Sequence, residues 1–513
     1  MSSSKRALIF YPWGKSRLFL GIMIDEIDIL ITKGYTVDFL ICDGFLKNCF
    51  ANRLSNRSLC NECKRNSEIV MKDIEVNLIY LNDYFSKSKQ NEALISLKFE
   101  YKNINEIKEI NYKECKIGYG ALSSYVSYTR NREPKITKDF VAYFDKLLYS
   151  QVFLREAIDV LFTNKHYDVT YIFNGRWADM RPFFDYCKAH KKEIRIVENI
   201  PVDLGKDYRK LIFKNCLPHN IQNRTEWMNK FWNEDSDITK KTKLGTDYFE
   251  ARRYSKKINN GKIFTESQVF GELPINFDES KNNISIFLSS EDEFLALGNE
   301  WDYLNLFESQ EEGIHFILNQ LSEFNYHTYI RVHPNLRNVH FGYHKRLIEL
   351  QYIYSNVTVI EAESTVSTYA LVDASDKVVV FGSSVGVEAC FAQKPVILLG
   401  GSLYYYLDVA YLPEDKASII PLISDNNLQP KSQVNAMKYG YYFMNIKSYS
   451  SEINYNPKPV SILGLNMSTF PFYKIFGSAV LGRVYLALLD IYYYLISRFF
   501  EKPQFKNIPI DGD

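Results

Sequence analysis

Three short polar clusters in the second half of this 513-residue chain carry residue types that bind phosphate. Ser289-Ser290-Glu291-Asp292-Glu293 follows the apolar run 284–288. Arg331-Val332-His333-Pro334-Asn335 closes the run 328–332. Gly382-Ser383-Ser384, with Glu388 a turn later, follows the run 378–381. Arginine and protonated histidine make charge-assisted hydrogen bonds to phosphate, and serines at a helix start add hydroxyl and backbone N–H donors. Glu388 has the acceptors for two ribose hydroxyls. His333, of a type that titrates near neutrality, can protonate a departing phosphate. The expected binding residues are therefore Ser289, Ser290, Arg331, His333, Asn335, Ser383, Ser384 and Glu388, and the ligand they suit is a nucleotide joined to a sugar. The competing reading is structural: small residues that let a helix pack closely, and a histidine that caps the loop before Pro334.

The first half offers fewer candidates. Asn174-Gly175-Arg176 follows the β-type run 169–173, and Glu198 follows 194–197. Asn-Gly alone reads as a turn. Arg176 at a strand end would still face a cleft, where it could hold an acidic acceptor or a donor carboxylate. Glu198 or Asp179 could then take the acceptor proton. Asp235-Ser236-Asp237 has the spacing of a metal-binding pair, but no strand precedes it, so no catalytic cation is expected. Cys42, Cys49, Cys60 and Cys63 form C-x6-C-x10-C-x2-C after a predicted strand, a spacing that can build a closed tetrahedral zinc site with a structural role. Ordinary core and loop cysteines are the alternative.

Strands alternating with helices must position these groups. The pattern predicts strands over 7–11, 36–42, 76–81, 169–173 and 194–197, with helices over 17–33 and 138–163. A polar stretch over 233–260 reads as a helical connection. A second alternating series then begins at 284 and runs to 399. Two parallel, doubly wound sheets follow, each binding its ligand at the carboxyl edge of its strands. The expected division is an acceptor domain over 1–265, a nucleotide-sugar domain over 266–448 and a helical tail over 449–513. The tail segment 475–500 has the length of a membrane span, but Arg483, Asp490 and Arg498 interrupt it. That favours a helix lying on a membrane surface or packed on the first domain.

Composition narrows the classes. With 46% hydrophobic and 24% charged residues the chain is globular, and a formal charge of +1 gives no electrostatic reason to expect nucleic acid. The start is polar and the run 7–11 is too short for a signal peptide. This places the chain in the cytoplasm, where its eight cysteines stay reduced, with peripheral inner-membrane contact as one role for the tail.

The second domain, over about 281–442, resembles glycosyltransferases of bacterial capsule and surface-polysaccharide biosynthesis. The stretches that carry the likeness are SSEDEF at 289–294, RVHPNL at 331–336, STVSTYAL at 364–371, FGSSVGVEA at 381–389 and KPVILLGGSLYY at 394–405. FNGR at 173–176 in the first domain looks like the same group. The His-Pro and Ser-Ser pairs are similar to those of polysialyltransferases and Kdo transferases. That resemblance implies a GT-B fold, with His333, Ser383 and Ser384 on the phosphate of a CMP-sugar and Glu388 on its ribose. It also implies an acceptor that is a growing glycan or a lipid-linked glycan. The acidic motif that ends in glycine and supplies the base in polysialyltransferases has no clear counterpart. Two rivals stay open: a nucleotide-sugar epimerase of the same architecture, and a non-catalytic polysaccharide-assembly protein.

Overall fold

A computed structural model describes residues 5–453 apart from 15–16, 47, 54, 56, 86–96, 203–206, 257–264, 322–324 and 338–340, together with 461–462 and 465–466. The expected tail helix over 475–500 lies outside the described residues.

In the first domain β1 (Arg6–Phe10), β2 (Thr36–Ile41), β3 (Asn77–Tyr80), β4 (Val169–Phe173) and β5 (Ile194–Val202) pair in parallel in the order β3-β2-β1-β4-β5. Their near-continuous Val, Ile, Leu and Phe content is what a sheet covered on both faces requires. β6 (Asp207–Lys214) returns antiparallel to β5, and β12 (Ser451–Glu452) pairs antiparallel with β6. Neither strand is visible in the hydrophobic pattern: β6 carries Arg209, Lys210 and Lys214. Lys210 is nevertheless buried, paired with Asp25 and Glu26 of the helix Arg17–Thr32.

The second sheet repeats the order. β7 (Asn282–Phe287), β8 (Tyr326–Arg331), β9 (Val357–Ile360), β10 (Lys377–Val380) and β11 (Val396–Leu398) are all parallel, arranged β9-β8-β7-β10-β11. These are two Rossmann-like domains of the GT-B type. Each sheet has its switch point beside its first strand, at β1/β4 in one and β7/β10 in the other, where the connections diverge to opposite sides.

The polar stretch expected to connect the domains is helical. The helices Ile221–Glu234 and Ile238–Arg253 form there, capped by Asn220 and Asp237. Asp235 and Asp237 of the Asp-x-Asp pair serve this architecture. Asp237 accepts the Lys240 N–H at 2.8 Å, and Asp235 accepts from Lys240 Nζ and Tyr441 Oη. Met228, Tyr248 and Phe249 bury themselves with Val378, Val387 and Val396, so these helices share the second sheet's core although they precede residue 265. The contact is tightest where Ile238–Arg253 crosses Gln433–Met444. A methyl group at Gly440 would lie 2.5 Å from the Gly245 carbonyl oxygen, and one at Gly245 would lie 2.7 Å from that of Met437.

Polar contacts join the domains. Lys108 and Tyr119 meet Asp302 at 2.9 and 2.5 Å, Arg130 meets Asp292 at 2.8 Å, and Arg132 meets Glu291 at 2.8 Å. Among the described residues no helix is long and apolar enough to cross a membrane.

The paired glycines give a first prediction. Gly440→Ala forces the two helices apart and should destabilise the protein by roughly 1–3 kcal/mol, the usual range for overpacking. Denaturant unfolding measures it, and a variant as stable as the parent would show that the crossing tolerates a methyl group.

Candidate functional site

One cavity opens at the carboxyl edge of the second sheet, and five of the expected residues line it: Arg331, His333, Ser383, Ser384 and Glu388. They converge because β7, β8 and β10 are adjacent and parallel. Phe287 and Leu288 from the end of β7 form the apolar floor between them.

Arg331 is 2% exposed. Its Nη2 donates to the Ser364 carbonyl at 3.1 Å, while Nε and Nη1 are buried without a partner. Burial, with Arg337 nearby, lowers its guanidinium to about 10. A desolvated cation with two unpaired donor atoms on a cavity wall is arranged for an anion. His333 starts the 3-10 turn Pro334–Leu336, and its Nδ1 accepts the Asn335 N–H at 3.1 Å. The bond makes Nε2 the protonated nitrogen of the neutral ring. Histidine is therefore both loop cap and cavity wall, so the two sequence readings of His333 are compatible.

Gly382 has φ +116°, and a side chain there would reach within 2.5 Å of the Gly401 carbonyl oxygen. This turn swings Ser383 and Ser384 into the cavity. Tyr404 Oη donates to the Ser383 carbonyl and fixes the turn from behind.

Glu388 is buried, and its carboxylate is already engaged. Oε1 accepts from Arg252 Nε at 2.8 Å and from Ser384 Oγ at 3.2 Å, and Oε2 accepts from Tyr369 Oη at 2.7 Å. A carboxylate free to grip two ribose hydroxyls, as expected from sequence, is not what the fold presents.

The remaining binding candidates lie apart from this cavity. Ser289 lines a neighbouring one with Arg132, Asp292 and Tyr343, and its backbone exchanges hydrogen bonds with the Gln310 side chain at 2.9 and 3.2 Å. Ser290 Oγ accepts from Asn335 Nδ2 at 3.2 Å, and the same amide reaches Glu293 at 2.9 Å. Ser289, Ser290 and Asn335 thus brace the loops behind the cavity. Sequence reading missed five of its polar lining residues: Arg252, Thr265, Gln268, Thr368 and Tyr369. Tyr369 lies within STVSTYAL. Arg252 ends a charge-mixed helix, where nothing in the sequence separates it from a solvated arginine.

In the first domain Asn174, at φ +58°, and Gly175, at φ +80°, turn the chain after β4 and place Arg176 beside Glu198. Asn174 Nδ2 donates to Glu198 Oε2 at 2.8 Å. Burial raises the Glu198 carboxyl, against the pull of Asn174 and Arg176. Arg176 reaches Ser127 at 3.4 Å, its Nε is buried without a partner, and burial lowers its guanidinium. Glu293 of the second domain is close enough to act on Arg176 electrostatically, so Arg176 faces the line between the domains.

Asp179 behaves differently. It is 1% exposed, and its Oδ2 accepts from Trp13 Nε1 and from the Phe50 N–H at 3.1 Å. Packed among Trp13 and Phe50 it cannot take a proton from an acceptor, and that expected role is withdrawn. Its Oδ1 has no partner, and burial raises the carboxyl to about 6.

Cys42, Cys49, Cys60 and Cys63 do line one cavity, with Asp43 and Asn52. Yet among the described residues no three His, Cys, Asp or Glu side chains are arranged to hold a metal ion. Cys63 Sγ donates to the Pro12 carbonyl, Cys60 accepts from Asn52 and Cys42 from the Leu46 N–H. Burial raises the Cys42, Cys49 and Cys60 thiols, which keeps them protonated and unreactive in the metal-free chain. The thiols present do not fit the expected closed zinc site.

Residues 302–415 match the family described as capsule polysaccharide biosynthesis protein, a segment that contains Arg331, His333, Ser383, Ser384 and Glu388. The resemblance of the second domain to that group therefore holds. No curated protein matches the chain. Among solved structures, KpsC from Thermosulfurimonas dismutans, a beta Kdo 2,4 transferase, is similar over 53% of this chain and 79% of that one, at 14% identity and TM-score 0.33. The UDP-GlcNAc 2-epimerase from Neisseria meningitidis bound to UDP-GlcNAc is similar over 86% and 99%, at 12% identity and TM-score 0.27. At these scores neither likeness bears on substrate or site.

Asp179 yields a pH prediction. Its carboxyl is raised on folding, so the protein should lose stability as pH climbs from the unfolded value of 3.8 to about 6. Asp179→Asn keeps an acceptor for Trp13 and Phe50 without the charge. It should flatten that dependence and exceed the parent by on the order of 1–3 kcal/mol near pH 7.5 while matching it near pH 4. Loss of stability near pH 7.5 with none near pH 4 would show instead that the ionised carboxylate is required, and equal loss at both would show that the amide does not fit whatever the charge.

Proposed function

We propose that the chain is a glycosyltransferase that moves a sugar from a nucleotide-sugar donor to a growing surface polysaccharide or a lipid-linked glycan. The observation that carries the reading is the convergence of Arg331, His333, Ser383 and Ser384 on one cavity at the β7/β10 switch point, with Arg331 desolvated and two of its donor atoms unpaired. The match of residues 302–415 to capsule polysaccharide biosynthesis proteins supports the pathway. A CMP-linked donor is favoured over a UDP-linked one, on the likeness of the His-Pro and Ser-Ser pairs to those of transferases that use CMP-sugars.

On this reading Arg331 and the two serines hold the donor phosphate, and charge develops on that phosphate as the glycosidic bond breaks. His333 donates through Nε2 to the departing oxygen. Across the domain line Glu198, the carboxyl raised by burial, takes the proton of the attacking hydroxyl, and Arg176 orients an acidic group on the acceptor or the donor. The two domains supply the alignment, a large part of such catalysis.

Thermal-shift titration with CMP, UDP, GDP and dTDP tests the donor class, and stabilisation by CMP above the others is expected. His333→Ala should then depress sugar transfer by on the order of 10²-fold with the fold intact. Nucleotide released without added glycan would point to an epimerase, and no response to any nucleotide would refute the transferase.

A further inference from the structure

The cavity that lies under the proposed donor site contains one carboxylate, and the structure spends it on the protein. A carboxylate offers about four acceptor positions. Three of Glu388's are filled by Arg252, Ser384 and Tyr369. A two-pronged grip on ribose would have to break one of these bonds in a side chain that is 5% exposed.

Arg252 stands in the opposite condition. Of its five N–H groups, Nε–H goes to Glu388 and one Nη2–H to Ser384 Oγ at 3.3 Å, and Tyr248 also bonds the guanidinium, which still lines the cavity with donors to spare. It arrives from the last turn of Ile238–Arg253, outside the strands that carry the other cations, and the Gly245/Gly440 crossing fixes that helix. Its guanidinium plane is set by Glu388, Ser384 and Tyr248, as a pre-organised phosphate ligand requires.

The buried cavity atoms without a partner have the same polarity as this guanidinium. Gln268 Oε1 accepts the Thr368 N–H at 2.7 Å, so the amide cannot be flipped, and its Nε2 is left buried without a partner. Arg331 adds Nε and Nη1. These orphaned cavity atoms are all donors. Such a wall reads the oxygens of a ligand rather than its hydroxyl protons.

We infer that Arg252 is a second phosphate-binding residue of the donor site and that Glu388 is a positioning residue, which acts on the donor through Arg252 and not on the ribose. The inference rests on the donor-site reading above. It predicts that the charge and shape of Arg252 matter as much to nucleotide binding as those of Arg331, and that the ribose hydroxyls owe nothing to Glu388.

Calorimetric titration of CMP, cytidine and 2′-deoxy-CMP into the full chain separates these roles. Arg252→Gln and Glu388→Gln should each weaken CMP by about tenfold or more, the scale of a charge-assisted hydrogen bond, and leave cytidine unchanged. The double variant should bind CMP no more weakly than either single one, because both remove the same contact. The factor between CMP and 2′-deoxy-CMP should be equal in the parent and in Glu388→Gln. Should Glu388→Gln unfold, Tyr369→Phe removes a single bond to the carboxylate and should weaken CMP severalfold with cytidine again unchanged. If Glu388→Gln abolishes the 2′-deoxy discrimination while Arg252→Gln binds CMP like the parent, Glu388 is the ribose ligand and the inference is overturned. A parent that binds none of the three ligands overturns the donor-site reading and this inference with it.

Discussion

Because β7, β8 and β10 run parallel, their carboxyl ends share one edge of the second sheet, and every loop that leaves them starts there. That pairing brings three motifs, spread over about a hundred residues of sequence, to one sheet edge, where the second and third line the cavity and the first braces the loops behind it. The order β9-β8-β7-β10-β11 places the divergence of the connections at β7/β10, so the crevice lies between the loop after β7 and the turn at Gly382. Arg331 is the last residue of β8, and strand register therefore fixes its backbone as firmly as any core position.

Burial then decides what those groups can do. A guanidinium that is 2% exposed with two unpaired donor atoms is unfavourable in isolation, and it persists because register leaves it no alternative. Arg252 and Glu388 solve the same problem differently. They desolvate together, and removing either would strand the other charge. Charges retained inside at such a cost and gathered in one cavity are what the proposed donor site rests on. Asp179 shows the contrast: it is as buried, but its surroundings are Trp13 and Phe50, which donate to it from the first domain's own core.

Where the sequence was legible, local pattern and function coincided. The alternation of strands and helices, the carboxyl edge of the second sheet and five cavity residues all follow from short runs whose meaning is carried by neighbours in the chain. What was not legible depended on contacts between distant segments. β6 could not be read because three of its residues are basic, and only the acidic helix opposite explains how Lys210 is buried. Arg252 could not be read because its role is assigned by Glu388, 136 positions away. The cysteine spacing misled for the related reason that spacing fixes reach and not direction. The thiols gather around one cavity yet bond to backbone and to Asn52. Ser289 and Ser290 were correctly placed at a strand end, but the Gln310 and Asn335 side chains claim them.

The loop that carries His333 is also tied to the first domain. Arg130 donates to the Asn335 carbonyl at 3.0 Å and pairs with Asp292 through the same guanidinium. Asn335 in turn holds Ser290 and Glu293, and Glu293 lies within electrostatic reach of Arg176. A continuous polar path thus runs from the first-domain carboxylate Glu198, through Arg176, to the loop beside the anion cavity. Separation of the domains along this line would take Arg130 away from the carbonyl of Asn335, whose N–H orients His333. The orientation of His333 is thus linked through Asn335 to the first domain, and the groups proposed to act on donor and acceptor share one line of interdomain contacts.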